Sequence, residues 1–253
     1  RKKTDSNILV IGADDEIRAS ILLHTIYSFK RQPNTSVVVF ADPDDEIYRQ
    51  YKGQLKELLD SHDDLIFDMS FVCEKVDHLS KYMNPDNDRR ILICWLGLEE
   101  IADYLSVQGE RNRVSKDLAG SGSVSTSSLD SLIGDVDALL NAFDGKPSEP
   151  LVTTPGVTTT SQIYDARPDI QELFAKGSRY NLFSFVTYSS VKMIRQTKFI
   201  RIENFEHKIA LSMSMDDSAV YLGRGAYAAG LDKLTAVYDD GSGKIRTFKP
   251  YIF

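Results

Sequence analysis

The chain has 253 residues, 42% hydrophobic and 26% charged, an ordinary globular composition that excludes a disordered or fibrous protein. A formal net charge of −7 and a pI of about 5.2 argue against a surface that binds nucleic acid everywhere, leaving room only for a local basic patch. No apolar run approaches the ~20 residues that a membrane span needs, so no membrane contact is expected of this segment.

The polar start Arg1-Lys2-Lys3-Thr4-Asp5 lacks a Met and reads as a piece cut from a longer protein, not as a signal peptide. Ile8 to Ile11 is a short β-branched run ended by Gly12, and Ile17 to Lys30 then carries apolar residues at helical spacing. Ser36 to Ala41 predicts a second buried strand, closed by Asp42-Pro43, and Ile47 to Leu59 a second helix. Leu65 to Met69 is a weaker extended segment, Val72 to Tyr82 a helix, and Arg90 to Gly97 a strongly apolar strand. Continuous apolar strands alternating with amphipathic helices imply a parallel sheet covered on both faces. Cys94 falls inside one such strand. Cys73 and Cys94 are therefore expected to be free thiols in a reducing, cytoplasmic setting. Neither they nor the four scattered histidines have metal-ligand spacing.

The composition changes from about Leu118 to Gln162, with a Gly/Ser tract, a possible short helix at Leu129 to Phe143, and a Pro/Thr/Ser stretch. This predicts an exposed, flexible insertion in a single domain spanning residues 1–253. Beyond it, Ile170 to Lys176 reads as a helix, Asn181 to Tyr188 as a buried strand and Val191 to Gln196 as a short helix. Phe199 to Glu203 and Lys208 to Met213 alternate like strands, and Ser218 to Leu222 opens a helix. Leu234 to Asp239 and Lys244 to Tyr251 flank Asp240-Gly241-Ser242-Gly243, a hairpin signal. The predicted fold is thus a three-layer α/β sandwich with a mostly parallel sheet and a C-terminal antiparallel hairpin.

The segment around Gly12 has the strand–turn–helix outline of a phosphate-binding loop without its chemistry. A working loop reads G-x-x-x-x-G-K-[ST], with backbone N–H groups and a Lys around the phosphates and a hydroxyl on Mg²⁺. Counting from Gly12, the second glycine falls on Ile17, the lysine on Arg18 and the hydroxyl on Ala19. A shift by one places Ser20 at the hydroxyl and Ala19 at the lysine. Asp14, Asp15 and Glu16 put three carboxylates where phosphates would sit. At ~4 Å and an effective dielectric of ~20, each such charge pair costs roughly 4 kcal/mol before screening. The simplest reading of Arg18 is an exposed arginine in the first helical turn, balanced by Asp14 and Asp15. The runs Asp42-Pro43-Asp44-Asp45-Glu46 and Asp63-Asp64 read as turn and cap chemistry. Lys192, Arg195, Lys198 and Arg201 form the one basic stretch. It is expected to be a solvated face, with DNA-backbone contact as the sharper alternative.

The order Gln171 to Asn181, Leu182-Phe-Ser-Phe-Val-Thr187, Phe199-Ile-Arg-Ile-Glu203, Phe205 to Ser212, Asp216-Asp217-Ser218 and Leu222-Gly223 resembles the end of the FtsK/SpoIIIE family of RecA-like, P-loop ATPases. In that family a strand ends in Ala-Thr-Gln and a later strand carries Arg-Ile-Ala. Here Thr187 keeps the threonine and Tyr188 replaces the glutamine, while His207-Lys208-Ile209-Ala210-Leu211 stands in for the second strand. The resemblance implies a RecA-like fold and, where the chemistry is intact, ATP and Mg²⁺ as cofactors. A Walker B strand would end in Asp-Glu. The strand at Ile91 to Trp95 instead runs into Leu96-Gly97-Leu98, with Glu99 and Glu100 arriving late, where they are expected to open a helix over Glu99 to Leu105. Loop, acid pair and glutamine are thus changed together. The resemblance therefore implies a catalytically degenerate module, with Gly12, Arg18, Ser20 and Thr187 as the remains of a nucleotide site and no cofactor required. Its partners would be sister ATPase domains of one chain or a homo-oligomeric ring, and DNA if the basic stretch engages it. The alternatives are an active DNA or protein translocase with an atypical loop completed by a neighbour, and a non-hydrolysing nucleic-acid-binding module.

Overall fold

A computed structural model of the chain describes residues 7–108, 163–223, 225 and 227–251. The insertion expected at 118–162 lies outside these residues. Residues 7–108 and 163–251 belong to one compact unit built around an eight-stranded sheet.

The strands β1 (Ile8–Ile11), β2 (Thr35–Ala41), β3 (Asp64–Ile66) and β4 (Arg90–Leu96) fall within a residue of the predicted runs, except that β3 stops three residues before Met69, which opens a 3₁₀ turn. A two-stranded antiparallel sheet, β5 (Ser106–Gln108) with β6 (Ile163–Asp165), was not anticipated. The main sheet continues with β7 (Leu182–Tyr188), β8 (His207–Ala210), β9 (Ala236–Asp239) and β10 (Ile245–Phe248). Its order is β10-β9-β8-β1-β7-β4-β2-β3. From β8 to β3 every pairing is parallel, whereas β8–β9 and β9–β10 are antiparallel. This is the mostly parallel α/β sandwich with a terminal antiparallel hairpin that the apolar pattern implies. Among the described residues no helix is long and apolar enough to cross a membrane.

The side-chain alternation of the strands sorts the core into two layers. Val10, Val37, Val39, Leu92, Cys94 and Phe185 pack against α1 (Asp15–Lys30) and α2 (Glu46–Leu58). On the other face Leu9, Ile11, Phe40, Ile93, Trp95 and Val186 pack against α3 (Val72–Ser80), α4 (Leu98–Ile101), α5 (Arg167–Lys176), α6 (Val191–Gln196) and α7 (Met215–Leu222). Phe40 stacks on Trp95 at 4.3 Å between centroids. Cys73 and Cys94 are both buried and are not in disulfides.

Three local expectations are corrected. Phe199 to Glu203 is not a strand: the Asn204 side chain accepts from Arg201 N at 3.0 Å and turns the chain into a 3₁₀ helix at Ile202–Asn204. The helix expected over Glu99 to Leu105 is α4 followed by a 3₁₀ turn at Ala102–Tyr104, tightened where Cys73 Sγ donates to Tyr104 O and Ala166 N to Leu105 O. Asp63 and Asp64 do more than cap a turn. Asp63 accepts from Val37 N at 2.7 Å and pairs with Lys30, while Asp64 in β3 pairs with Lys75.

Asn7, buried just before β1, ties three elements together. Its Nδ2 donates to Phe174 O at 2.7 Å and to Asn204 O at 3.2 Å, and its Oδ1 accepts from Ser184 N at 3.0 Å. Asn7→Ala leaves these buried groups unpaired and is expected to lower unfolding free energy by about 2–4 kcal/mol in a denaturant titration; a loss below about 0.5 kcal/mol would contradict the stapling role.

Candidate functional site

The C-terminal ends of the parallel strands, where such sheets place their ligand sites, converge on the turn after β1. That turn is three residues long, Gly12-Ala13-Asp14, before α1 begins at Asp15. Positions 15 and 16, which would belong to an open loop counted from Gly12, are already helical. The reason is local: Asp14 is the N-cap, accepting from Ile17 N at 3.1 Å, and Asp15 and Glu16 stabilise the positive first turn. Gly12 is packed tightly. It donates to Tyr188 O, and a Cβ placed on it would lie 2.3 Å from Leu211 Cβ at the end of β8.

Arg18 is not exposed. It is 5% accessible, with Nη1 donating to Thr187 Oγ1 at 3.1 Å and Nη2 paired with Asp15. Its Nε is buried without a partner among the described residues. The structure thus brings Arg18 and Thr187 together beside the turn that Gly12 begins. Ser20 is elsewhere: buried on the next turn of α1, it donates to the carbonyl of Tyr251, away from Thr187.

The second strand end is apolar. β4 stops at Leu96, Gly97 takes the left-handed conformation (φ 71°), and Leu98 is fully buried. A Cβ at Gly97 would meet Asp42 Cβ at 3.0 Å and Asp45 Cβ at 3.3 Å, so the β2–α2 and β4–α4 turns are in close contact. Asp42 and Asp45 perform the turn and cap chemistry their sequence suggested, accepting from Asp44 N and Tyr48 N. Glu99 follows in the first turn of α4 with its Oε2 buried and without a hydrogen-bond partner among the described residues. Burial pushes the Glu99 carboxyl up to about 7, with Glu100 and Asp45 adding repulsion that Arg18 partly offsets. Burial likewise raises Asp45, against the hydrogen bond from Tyr48 N and the attraction of Arg18. Arg18 is thus the cation facing these carboxylates. No group of three or more His, Cys, Asp or Glu side chains among the described residues is arranged to hold a metal ion.

At the end of β7, Tyr188 is fully buried in the core, its hydroxyl donating to Thr197 Oγ1 at 3.1 Å. It fastens β7 to the end of α6 instead of presenting an amide to the turn. Lys192, Arg195 and Lys198 are all exposed on or just after α6, with no ion pair among the described residues. Sequence reasoning missed the roles of Asp45 and Glu99 around Arg18. The spacing of Asp15 and Arg18, one helical turn apart, was the available signal for their pairing.

The sheet order and the helices on both faces define a three-layer α/β domain with a mostly parallel sheet, its candidate site at the β1–α1 turn. Among solved structures the chain is similar to the genome packaging NTPase B204 from Sulfolobus turreted icosahedral virus 2 in complex with AMP. The TM-score is 0.54 at 10% identity, covering 98% of this chain and 99% of that one. It is also similar to EssC (ATPases 2 and 3) from Geobacillus thermodenitrificans, with a TM-score of 0.54 at 10% identity, covering 99% of this chain and 40% of that one. At these identities the likeness is one of fold. No protein-family model and no curated protein matches the sequence.

Two outcomes follow from the Arg18 environment. Arg18→Met leaves Asp15 without its ion pair and is expected to cost about 2–4 kcal/mol of unfolding free energy, less than a fully buried pair because Asp15 is a third exposed; a neutral effect would contradict the burial of that charge. For Glu99, whose carboxyl is raised in the folded chain, the stabilising contribution is full below about pH 4.5 and is lost as pH rises through about 7. Glu99→Gln, neutral throughout, should therefore gain stability over the parent between pH 5 and pH 8, by on the order of 1–2 kcal/mol after allowing for the group's partial exposure. Paired thermal melts at the two pH values measure this, and a pH-independent difference would refute it.

Proposed function

We propose that this chain is a catalytically degenerate ATPase module of FtsK/SpoIIIE type that acts by packing against sister domains or subunits, not by turning over nucleotide. The observation that carries the reading is the internal occupation of the phosphate position. A three-residue turn passes directly into α1, Asp14 takes the amide that would meet an anion, and Arg18 is already held by Asp15 and Thr187. A triphosphate would have to displace these contacts and sit among like charges. The strand β4 itself ends at Leu96 and runs into Gly97 and Leu98 instead of an Asp-Glu pair, and the carboxylates beside it come from other positions, with Asp42 and Asp45 already accepting from Asp44 N and Tyr48 N, so the residues present are a poor fit to Mg-ATP.

The packing role is supported by how little of the fold has been given up with the chemistry. The sheet, both helical layers and the strand-end turns are retained and tightly packed. EssC, similar in fold, carries more than one ATPase domain in its solved chain, of which this chain spans 40%. A module of this kind would brace or gate an active neighbour.

Isothermal titration of the chain with Mg-ATP is expected to show no binding tighter than roughly millimolar, and no phosphate release. Micromolar binding with turnover would sink the proposal.

A further inference from the structure

On the α1–α2 face, α1 does not cover the sheet completely. Its surface at Ile21, Thr25 and Ser28 stands off from Ile8, Phe183 and Ile209, which remain half-buried, and the segment Phe248 to Tyr251 forms a third wall. Ser20 fastens that wall by donating to the Tyr251 carbonyl. The result is a trough of about 540 Å³, mostly apolar, within the range of small-molecule sites. None of Gly12, Arg18 and Glu99 lines it.

The polar groups along the trough are of one sign. Arg90 and Lys249 line it and, among the described residues, no Asp or Glu does, in a chain with 37 acidic residues against 30 Lys and Arg. Arg90 is also set in place. Its guanidinium carbon lies 5.7 Å from the Phe29 ring centroid and 5.6 Å from that of Phe183, and Nη1 donates to Gln32 Oε1. A guanidinium resting against two rings and bonded to Gln32 loses little freedom when it meets an anion, and it matches a carboxylate in shape.

We propose that this trough binds an amphipathic monocarboxylate, its apolar chain lying along Ile21, Phe29, Phe183 and Ile209 and its carboxylate on Arg90. The apolar walls supply affinity, and the Arg90 and Lys249 charges select the anionic head group over a neutral or cationic one. The site is independent of the nucleotide turn, so it stands or falls separately from the module reading.

Calorimetric titration of the whole chain with dodecanoate and with dodecyltrimethylammonium, each below its critical micelle concentration, tests the proposal. Dodecanoate is expected to saturate one site with a Kd on the order of 10–100 µM, and the cation to bind at least about tenfold more weakly. Arg90→Gln should weaken dodecanoate about tenfold. Ser28→Trp, at an exposed helical position that lines the trough, should abolish dodecanoate binding without changing the thermal melt; it keeps the test decisive if Arg90→Gln does not fold. Equal binding of the two amphiphiles, no binding of dodecanoate below millimolar, or unchanged binding by Ser28→Trp would each overturn the proposal.

Discussion

The arrangement at the strand ends depends on the burial of Arg18 between Asp15 and Thr187. A guanidinium at 5% accessibility is tolerated only with partners, and here the partners come from the two elements that a phosphate would have to separate, the first turn of α1 and the end of β7. Asp45 and Glu99 share the same cation from the neighbouring turns. The charge that would serve a ligand in a nucleotide-binding turn is spent on holding the turn shut.

That constraint is consistent with the packing around it. Gly12 has no room for a side chain because Leu211, at the end of β8, fills the space above it. Tyr188 faces the core and anchors α6 through Thr197, and Gly97 allows the β4 turn to meet Asp42 and Asp45 closely. Each of these positions lies at the C-terminal edge of the parallel strands, where an α/β sheet presents loops for function. Each has been filled with an intramolecular contact.

Much of the fold was legible because apolar runs and helical periods are local signals. Ile8 to Ile11, Arg90 to Leu96 and Val191 to Gln196 were bounded to within a residue, and the Asp-Gly-Ser-Gly turn marked the terminal hairpin. Alternation alone misled at Phe199 to Glu203, where a side-chain bond from Asn204 competes with strand geometry. The β5–β6 pair was invisible because its strands are three residues each and far apart in sequence. The motif arithmetic singles out Gly12 and Arg18 as candidates, and the structure sets Thr187 against Arg18. Ser20 was placed by register, but the helix turns it toward Tyr251. Arg18 was read as exposed because its burial depends on Thr187, 169 positions away.

The most direct measure of the closed turn is an amide and guanidinium ¹H–¹⁵N titration with Mg-ATP that follows Gly12, Asp15 and the Arg18 Nε–H. The account predicts that these signals stay where they are up to millimolar nucleotide. Saturable shifts at all three would contradict it.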